Sequence, residues 1–151
     1  MTKETQCPYL HNKSEKRLVT DLNNNPFIFD ELSLSGFRRI ENWMYRPSCN
    51  SCNDCQSYRI NLDNFNMTKS LKRVNKKNLN NKINLKNNLA KKEYFKLFSK
   101  YQNERHTGSS MSLMTYEEFQ SMIETSPINT QILEFKTPYN KLIGVMLFDY
   151  Q

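Results

Sequence analysis

Glycine is scarce in this 151-residue chain, with three residues in all, which excludes a glycine-rich loop cradling a nucleotide phosphate. No nucleotide cofactor is expected. Long hydrophobic runs are missing too. No stretch approaches the ~18 consecutive apolar residues of a membrane span, and the mean hydropathy is −0.80. The opening Met1-Thr2-Lys3-Glu4-Thr5-Gln6-Cys7 lacks the basic start and apolar stretch of a secretory signal. The chain is therefore expected in a reducing cytosol, away from membranes and without structural disulfides. There is no Gly-x-Ser-x-Gly and the only histidines are His11 and His106, so no serine-hydrolase triad is sought. What is present is 37% apolar, 12% aromatic and 25% charged, too aromatic for a disordered chain. By area scaling the chain would expose about 8,000 Å² folded against about 26,000 Å² unfolded, enough for a core in one ordinary domain or two very small ones.

The net charge of +7 is segregated. Residues 67–105 hold twelve Lys or Arg against Glu93 and Glu104, a local +10, while the rest of the chain carries −3. Such a block is the electrostatic footprint of a phosphate-rich partner, because neutralising phosphates releases counterions. The competing reading is a solvated face enriched in Lys and Asn by an AT-rich genome. Drift alone would scatter lysine without excluding acids, so nucleic acid is favoured.

Local patterns predict a helix from Pro26 to Leu34, with Asn25 as N-cap, Pro26 at the first helical position and Gly36 just past the end. From Phe37 to Asn53 the helical period disappears, and Tyr58-Arg59-Ile60-Asn61-Leu62 alternates like a strand. The first 65 or so residues thus read as loop-rich, needing more than hydrophobic burial to hold them. Thr68 to Asn88 reads as a basic helix or linker. Ala90, Tyr94, Leu97, Phe98 and Tyr101 then mark one face of a helix ending near His106, with Gly108 suited to a left-handed cap. Thr115 and Glu118 form a capping box opening a second helix, which Pro127 ends. Residues 130–136 and 142–150 read as a hairpin around Pro138-Tyr139-Asn140-Lys141. Its second strand is apolar on both faces, so it is expected inside a covered sheet and not at an edge. More sheet is then required, and the chain is expected to be a piece of a longer protein or to need a partner to finish its fold.

The sharpest chemical signal is Cys49-x-x-Cys52-x-x-Cys55, with Cys7 as the fourth and last cysteine. Closely repeated C-x-x-C steps suit an iron-sulfur cluster, whereas zinc more often uses two separated pairs. Iron-sulfur is therefore placed ahead of zinc, and four unrelated buried thiols come last.

Several strings follow one another in a telling order. They are Cys7-Pro8-Tyr9-Leu10, Gly36-Phe37-Arg38-Arg39, Tyr45-Arg46-Pro47-x-Cys49-x-x-Cys52-x-x-Cys55, Arg59-Ile60 and Lys72-Arg73-x-x-x-Lys77-Asn78. In this order they resemble the bacterial aminoacyl-tRNA protein transferases, the leucyl- or arginyl-transferring enzymes of the N-end rule. Tyr94-x-x-x-Phe98, Tyr101, Arg105-His106 and Leu147-Phe148-Asp149 resemble that family's second, GNAT-like acyltransferase part. The cysteine string is specific; each other motif alone is weak. The chain departs from the family at Ile40-Glu41, where Ser-Gly is usual, and in the usual run of arginines before the Asn, thinned here to Lys72 and Arg73. It is also shorter than family members.

The resemblance implies an α+β protein: a small cysteine-rich domain over 1–74, a basic linker over 75–88, and an incomplete GNAT-like acyltransferase domain over 89–151. It further implies transfer of an aminoacyl group, with leucine favoured over arginine, from tRNA to the α-amine of proteins beginning with Asp or Glu, which marks them for degradation. A monomer is expected. An α-amine with a reference pKa near ~7.7–8.0 and an activated ester need little covalent help. Positioning supplies roughly 7 kcal/mol or more, and oxyanion donors several more.

An acidic first residue calls for the planar fork of arginine, so Arg46, Arg59, Arg38 and Arg39 are the acceptor-binding candidates. Tyr9, Tyr45 and Tyr58 are candidates for stacking on the terminal adenine. Lys69, Lys72, Arg73, Lys76 and Lys77 are assigned to tRNA. His106, beside Arg105, is the candidate proton acceptor, with helix capping as the competing role. Cys7, Cys49, Cys52 and Cys55 are assigned to metal. The rival function class is a non-catalytic, metal-stapled tRNA-binding fragment.

Overall fold

The computed structural model describes residues 1–150. The chain is mixed α and β and divides into two compact units, residues 1–60 and 61–150. No described helix is long and apolar enough to cross a membrane.

In the first unit, β1 (Thr5–Gln6) and β2 (Ser14–Glu15) form a short antiparallel ribbon. It closes with Cys7 N–H donating to Lys13 O at 2.8 Å. β3 (Arg17–Asp21) leads to a 3-10 turn at Pro26–Ile28 and then α1 (Phe29–Leu34). Proline opens the expected helix, but its first turn is 3-10 and Asn25 makes no side-chain cap bond. α1 ends in a Schellman motif: Gly36 at φ +84° donates to Ser33 O and Phe37 donates to Leu32 O, each at 3.0 Å. β4 (Arg38–Ile40) and β5 (Trp43–Pro47) complete a three-stranded antiparallel sheet, order β3-β5-β4. This sheet is the main departure from the loop-rich expectation. Its alternation is hidden because both faces carry polar or aromatic residues and only Met44 among its strands is buried, joining Leu22 and Phe29 in a very small core. The expected strand at 58–62 does not form; Leu62–Asn64 is a 3-10 turn instead. Tyr58, Ile60 and Leu62 are exposed, so the alternation there has neither a core to face nor a partner strand to pair with.

In the second unit, α2 (Lys69–Asn78) starts at Thr68, whose hydroxyl accepts from Leu71 N–H at 3.2 Å. A turn at Asn81 leads into β6 (Lys82–Asn87). That strand lies in the stretch read from sequence as helix or linker. Its Lys-Ile-Asn-Leu-Lys-Asn alternation is legible only beside the partner it pairs with. α3 (Lys92–Arg105), a 3-10 turn at Ser110–Leu113 and α4 (Tyr116–Glu124) follow. Both capping-box bonds form: Glu118 N–H to Thr115 Oγ1 at 3.2 Å and Thr115 N–H to Glu118 Oε2 at 2.8 Å. β7 (Thr130–Lys136) and β8 (Leu142–Asp149) make the expected hairpin, and β7 is the middle strand of the order β6-β7-β8.

One face of this sheet carries the core, where Tyr94, Phe119, Ile123 and Ile132 are buried with Ala90, Phe95, Phe98, Val145 and Leu147 around them. Phe119 meets the rings of Phe95 and Phe98 at centroid distances of 5.4 and 5.2 Å; burying such a side chain contributes about 1.5–3 kcal/mol. The buried stripe of α3 therefore turns toward Tyr94, Phe95, Phe98 and Gln102, leaving Tyr101 half exposed. β8 was expected to be interior, but among the described residues it is an outer strand, and Ile143 and Met146 are open to solvent.

Candidate functional site

A helix leaves its last carbonyls without partners inside it, and this open end of α1 runs from Leu34 on to Ser35 and Gly36 just past it. Three side chains from elsewhere in the first unit meet them. Arg59 Nη2 donates to Leu34 O at 2.6 Å, Arg46 Nη1 to Ser35 O at 3.1 Å and Ser57 Oγ to Gly36 O at 2.7 Å. The Arg46 guanidinium also stacks 5.2 Å from the Phe37 ring centroid, an arrangement that favours a cation at the negative end of the helix. Each guanidinium has five N–H donors, so one bond to a carbonyl fixes its orientation and leaves others for a ligand.

These groups line an open hollow of about 1210 Å³. Of the candidates read from sequence, it brings together Arg38, Arg46, Arg59, Tyr9, Tyr58 and all four cysteines. Arg39 does not line it; it donates to the backbone carbonyl of Glu41. Tyr45 does not line it either; it lies under the Arg17 guanidinium, 5.2 Å from its ring centroid.

Cys49 and Cys52 face each other in an isolated antiparallel bridge, and Cys49 Sγ lies 3.9 Å from Lys16 O. All four thiols are free; Cys55 is exposed and the other three are partly buried. Among the described residues, no group of three or more His, Cys, Asp or Glu side chains is drawn close enough to hold a metal ion. The donor set itself, four soft cysteine sulfurs bordering one hollow, is the chemistry that iron-sulfur clusters and structural zinc use.

The basic candidates lie in the second unit. Lys69, Lys72, Arg73, Lys76 and Lys77 recur at offsets of 3, 4, 7 and 8 along α2, which puts all five on one side of the helix and Leu71 and Val74 on the other. Every residue of α2 is exposed. Arg105 and His106 end α3, where His106 N–H donates to Gln102 O at 2.8 Å and the His106 ring packs edge-on to Tyr101, 5.5 Å between centroids.

One charged cluster escaped the sequence reading. Glu134, on the middle strand, is wholly buried. Its Oε1 accepts from the Tyr94 hydroxyl and from Lys91 Nζ at 3.1 Å, while Lys136 Nζ lies 2.9 Å from its Oε2. Burial pushes the Glu134 carboxyl up, but the bonds from Tyr94, Lys136 and Lys91 more than reverse this and hold it down at about 2. The neighbouring Tyr94 and the bond to Glu134 push the Lys91 ammonium up to about 12. The Tyr94 hydroxyl is also raised, chiefly by burial. The available signal was a single acid at an inward position, in step with Thr130 and Ile132. It acquires meaning only when α3 sets Tyr94 above it.

Residues 5–73 match the family model of the arginine-tRNA-protein transferase N terminus, and residues 93–151 match that of its C terminus. The chain belongs to the arginine-tRNA-protein transferase family. Within this family the chain is similar to the aspartate/glutamate leucyltransferase of Granulibacter bethesdensis, 34% identical over 150 residues covering 98% of this chain and 56% of that protein. The leucyltransferase of Rhodospirillum rubrum is 37% identical over 146 residues, covering 95% and 59%. That of Paracoccus denitrificans is 36% identical over 138 residues, covering 90% and 49%. The chain spans about half the length of these relatives. The arginines and cysteines of the hollow fall in the N-terminal match, and Arg105, His106 and Glu134 in the C-terminal one. Residues 74–92 lie between the two.

Proposed function

We propose that the chain carries the acceptor-reading and tRNA-contacting part of an aminoacyl-tRNA protein transferase. It moves leucine from Leu-tRNA to the N-terminal Asp or Glu of acceptor proteins, marking them for degradation in the cytoplasm. The observation that carries this reading is the hollow, where oriented guanidiniums of Arg46 and Arg59 stand with Arg38 beside the cysteine loop. The relatives' names supply the substrate: they are aspartate/glutamate leucyltransferases. The family model names arginine instead, so arginine is the alternative donor. In this reading residues 1–74 are the cysteine-rich domain and 89–151 open a GNAT-like acyltransferase domain; residues 75–88, expected as a linker, carry the end of α2 and the strand β6 of the second unit's sheet.

The acceptor carboxylate is read by the forks of Arg46 and Arg59, with Arg38 adding charge at the rim. The α-amine attacks the ester carbonyl of the aminoacyl-tRNA; a new C–N bond forms, the C–O bond to the terminal ribose breaks, and the ribose oxygen leaves with a proton. Tyr9 and Tyr58 of the first unit are proposed to stack on the terminal adenine; in the second unit, His106 with Arg105 beside it is the proposed proton acceptor. The α2 stripe of Lys69, Lys72, Arg73, Lys76 and Lys77 holds the tRNA phosphates. Cys7, Cys49, Cys52 and Cys55 would hold an iron-sulfur cluster, or zinc as the alternative. When bound, the metal supplies a rigid tie between the N-terminal ribbon and the cysteine loop.

The test is Arg46→Ala, read as binding of peptides differing only in residue one and as transfer of labelled leucine, and in parallel arginine, from charged tRNA. A charge-assisted bidentate contact is worth ~1.5–3 kcal/mol, so binding and transfer should fall roughly ten- to a hundred-fold for Asp- or Glu-first peptides, with tRNA binding unchanged. Arg46→Lys should rescue only partly, because the ammonium lacks the fork. Equal losses for acidic and neutral first residues would refute the assignment.

A further inference from the structure

β6 places Lys82, Asn84 and Lys86 opposite Lys136, Glu134 and Ile132 of β7. All six therefore stand on the face of the sheet that carries the core. Lys82 and Lys86 are exposed there, and Lys82 Nζ donates to Asn140 Oδ1 at 2.9 Å. Beside them, buried Glu134 anchors Lys91 at 3.1 Å and Lys136 at 2.9 Å. The side chains of these two lysines keep 43% and 23% of their surface open.

Three of these four lysines thus stand on this one face of the sheet, and the fourth, Lys91, reaches Glu134 on it. Glu134 balances one of them, and Glu93 lies 4.0 Å from Lys91 at the margin. No Asp or Glu occurs from Asn64 through Lys92.

Like charges directly opposite on a ladder destabilise it, and Lys82 faces Lys136 in that way. Lysines on an outer strand do discourage pairing with a further strand. That role needs only β6 itself; it does not call for two more lysines held in place by a buried carboxylate on the neighbouring strand.

We propose that Lys82, Lys86, Lys91 and Lys136 form a second phosphate-contacting surface for RNA, additional to the stripe on α2, with Glu134 as the positioning residue for two of its ammoniums. The proposal rests on the tRNA reading above and extends it to residues 82–91, which lie outside both family matches. Lys82 and Lys86 are four strand residues apart, about 13 Å, far enough to meet different phosphates. Holding Lys91 and Lys136 in advance reduces the side-chain freedom lost on binding. With a carboxylate holding it, Lys91 stays charged at any physiological pH.

The experiment measures the salt dependence of binding of deacylated tRNA to the 151-residue chain by filter binding or anisotropy. Four proteins are compared: wild type, Lys82→Gln with Lys86→Gln, the α2 variant with Lys72, Arg73, Lys76 and Lys77 changed to Gln, and a control with Lys96→Gln and Lys100→Gln on α3. Each lost contact removes roughly 0.7–0.9 of the slope of log K against log salt. The β6 pair should therefore lower the slope by about 1.4–1.8, and the control, which removes the same charge, should leave it within error. Because Lys82 and Lys86 are exposed, circular dichroism of the pair variant should match wild type. Glu134→Gln adds one positive charge to the surface, so weaker binding by a variant whose circular dichroism matches wild type supports the positioning role, whereas unchanged or tighter binding removes Glu134 from it. A β6 variant with wild-type slope, while the α2 variant loses slope, overturns this proposal and leaves the tRNA reading standing. Equal losses in the β6 pair and the control reduce the effect to overall charge and also overturn it. A wild-type chain that does not bind tRNA overturns both.

Discussion

Exchanging Glu134 for Gln removes a charge while keeping shape and an acceptor for the Tyr94 hydroxyl, so it isolates the electrostatic part of the buried cluster. The Glu134 carboxyl is held at about 2 against an ordinary value of 4.5; at 1.36 kcal/mol per pKa unit that difference is about 3 kcal/mol of stability at neutral pH. Breaking a buried ion pair by removing one partner commonly costs about 3–5 kcal/mol. Here Lys91 and Lys136 are partly exposed and can turn to water, so about 2–3 kcal/mol is expected.

The sign of the pH dependence follows. A carboxyl whose folded value is depressed contributes fully above its unfolded value, and the contribution fades as pH falls from about 4.5 toward about 2. Wild type should therefore lose this increment across that window, whereas Glu134→Gln, already lacking it, should show a flatter acid limb. Urea unfolding followed by far-UV circular dichroism reads the second unit, which holds α2, α3 and α4. A variant within about 0.5 kcal/mol of wild type at pH 7, the range of neutral surface changes, would refute the reasoning. So would one with an unchanged acid limb.

Gly36→Ala places a Cβ 3.3 Å from Ser57 Oγ at a residue with φ +84°, and a left-handed L-residue costs roughly 1–2 kcal/mol. Unfolding followed by Trp43 fluorescence should show that loss in the first unit, and unchanged stability would remove the Schellman end of α1 from the account of how Arg46 and Arg59 are oriented. Protein prepared without oxygen should contain iron and sulfide, or zinc, and Cys52→Ser should lose the metal. Four freely alkylated thiols in metal-free folded protein would end the four-cysteine assignment.

How much was legible in advance depended on the range of the interaction. Thr115 with Glu118 foretold α4, since a capping box is satisfied within four residues. Pro26 and Gly36 foretold a helical segment from Pro26 to Leu34, though its first turn is 3-10, because proline sets φ locally and Gly36 takes a left-handed φ that other residues reach only under strain. The hairpin at 130–149 was legible from its turn and apolar runs. The sheet β3-β5-β4 was not, because Arg38-Arg39-Ile40 and Trp43-Met44-Tyr45 show no clean alternation when only Met44 is buried. Tyr58-Arg59-Ile60 alternates and forms no strand, since the pattern describes a surface and says nothing of what pairs with it. The family resemblance was legible in the cysteine string and the motifs around it, which sequence order alone displays.

Residue order by itself determined the charge block, the Thr115 capping box, the presence of α3 and the spacing of the three clustered cysteines, because each is a relation between neighbours a few positions apart. Tertiary structure decided that Arg46 and Arg59, thirteen residues apart, share the carbonyl end of α1. It decided that Lys82–Asn87 becomes a strand, and that Glu134 sits beneath Tyr94, forty residues away. Those outcomes depend on which buried polar groups find partners across the fold, and a buried carboxylate or an open helix end is satisfied by whatever side chain the packing brings to it.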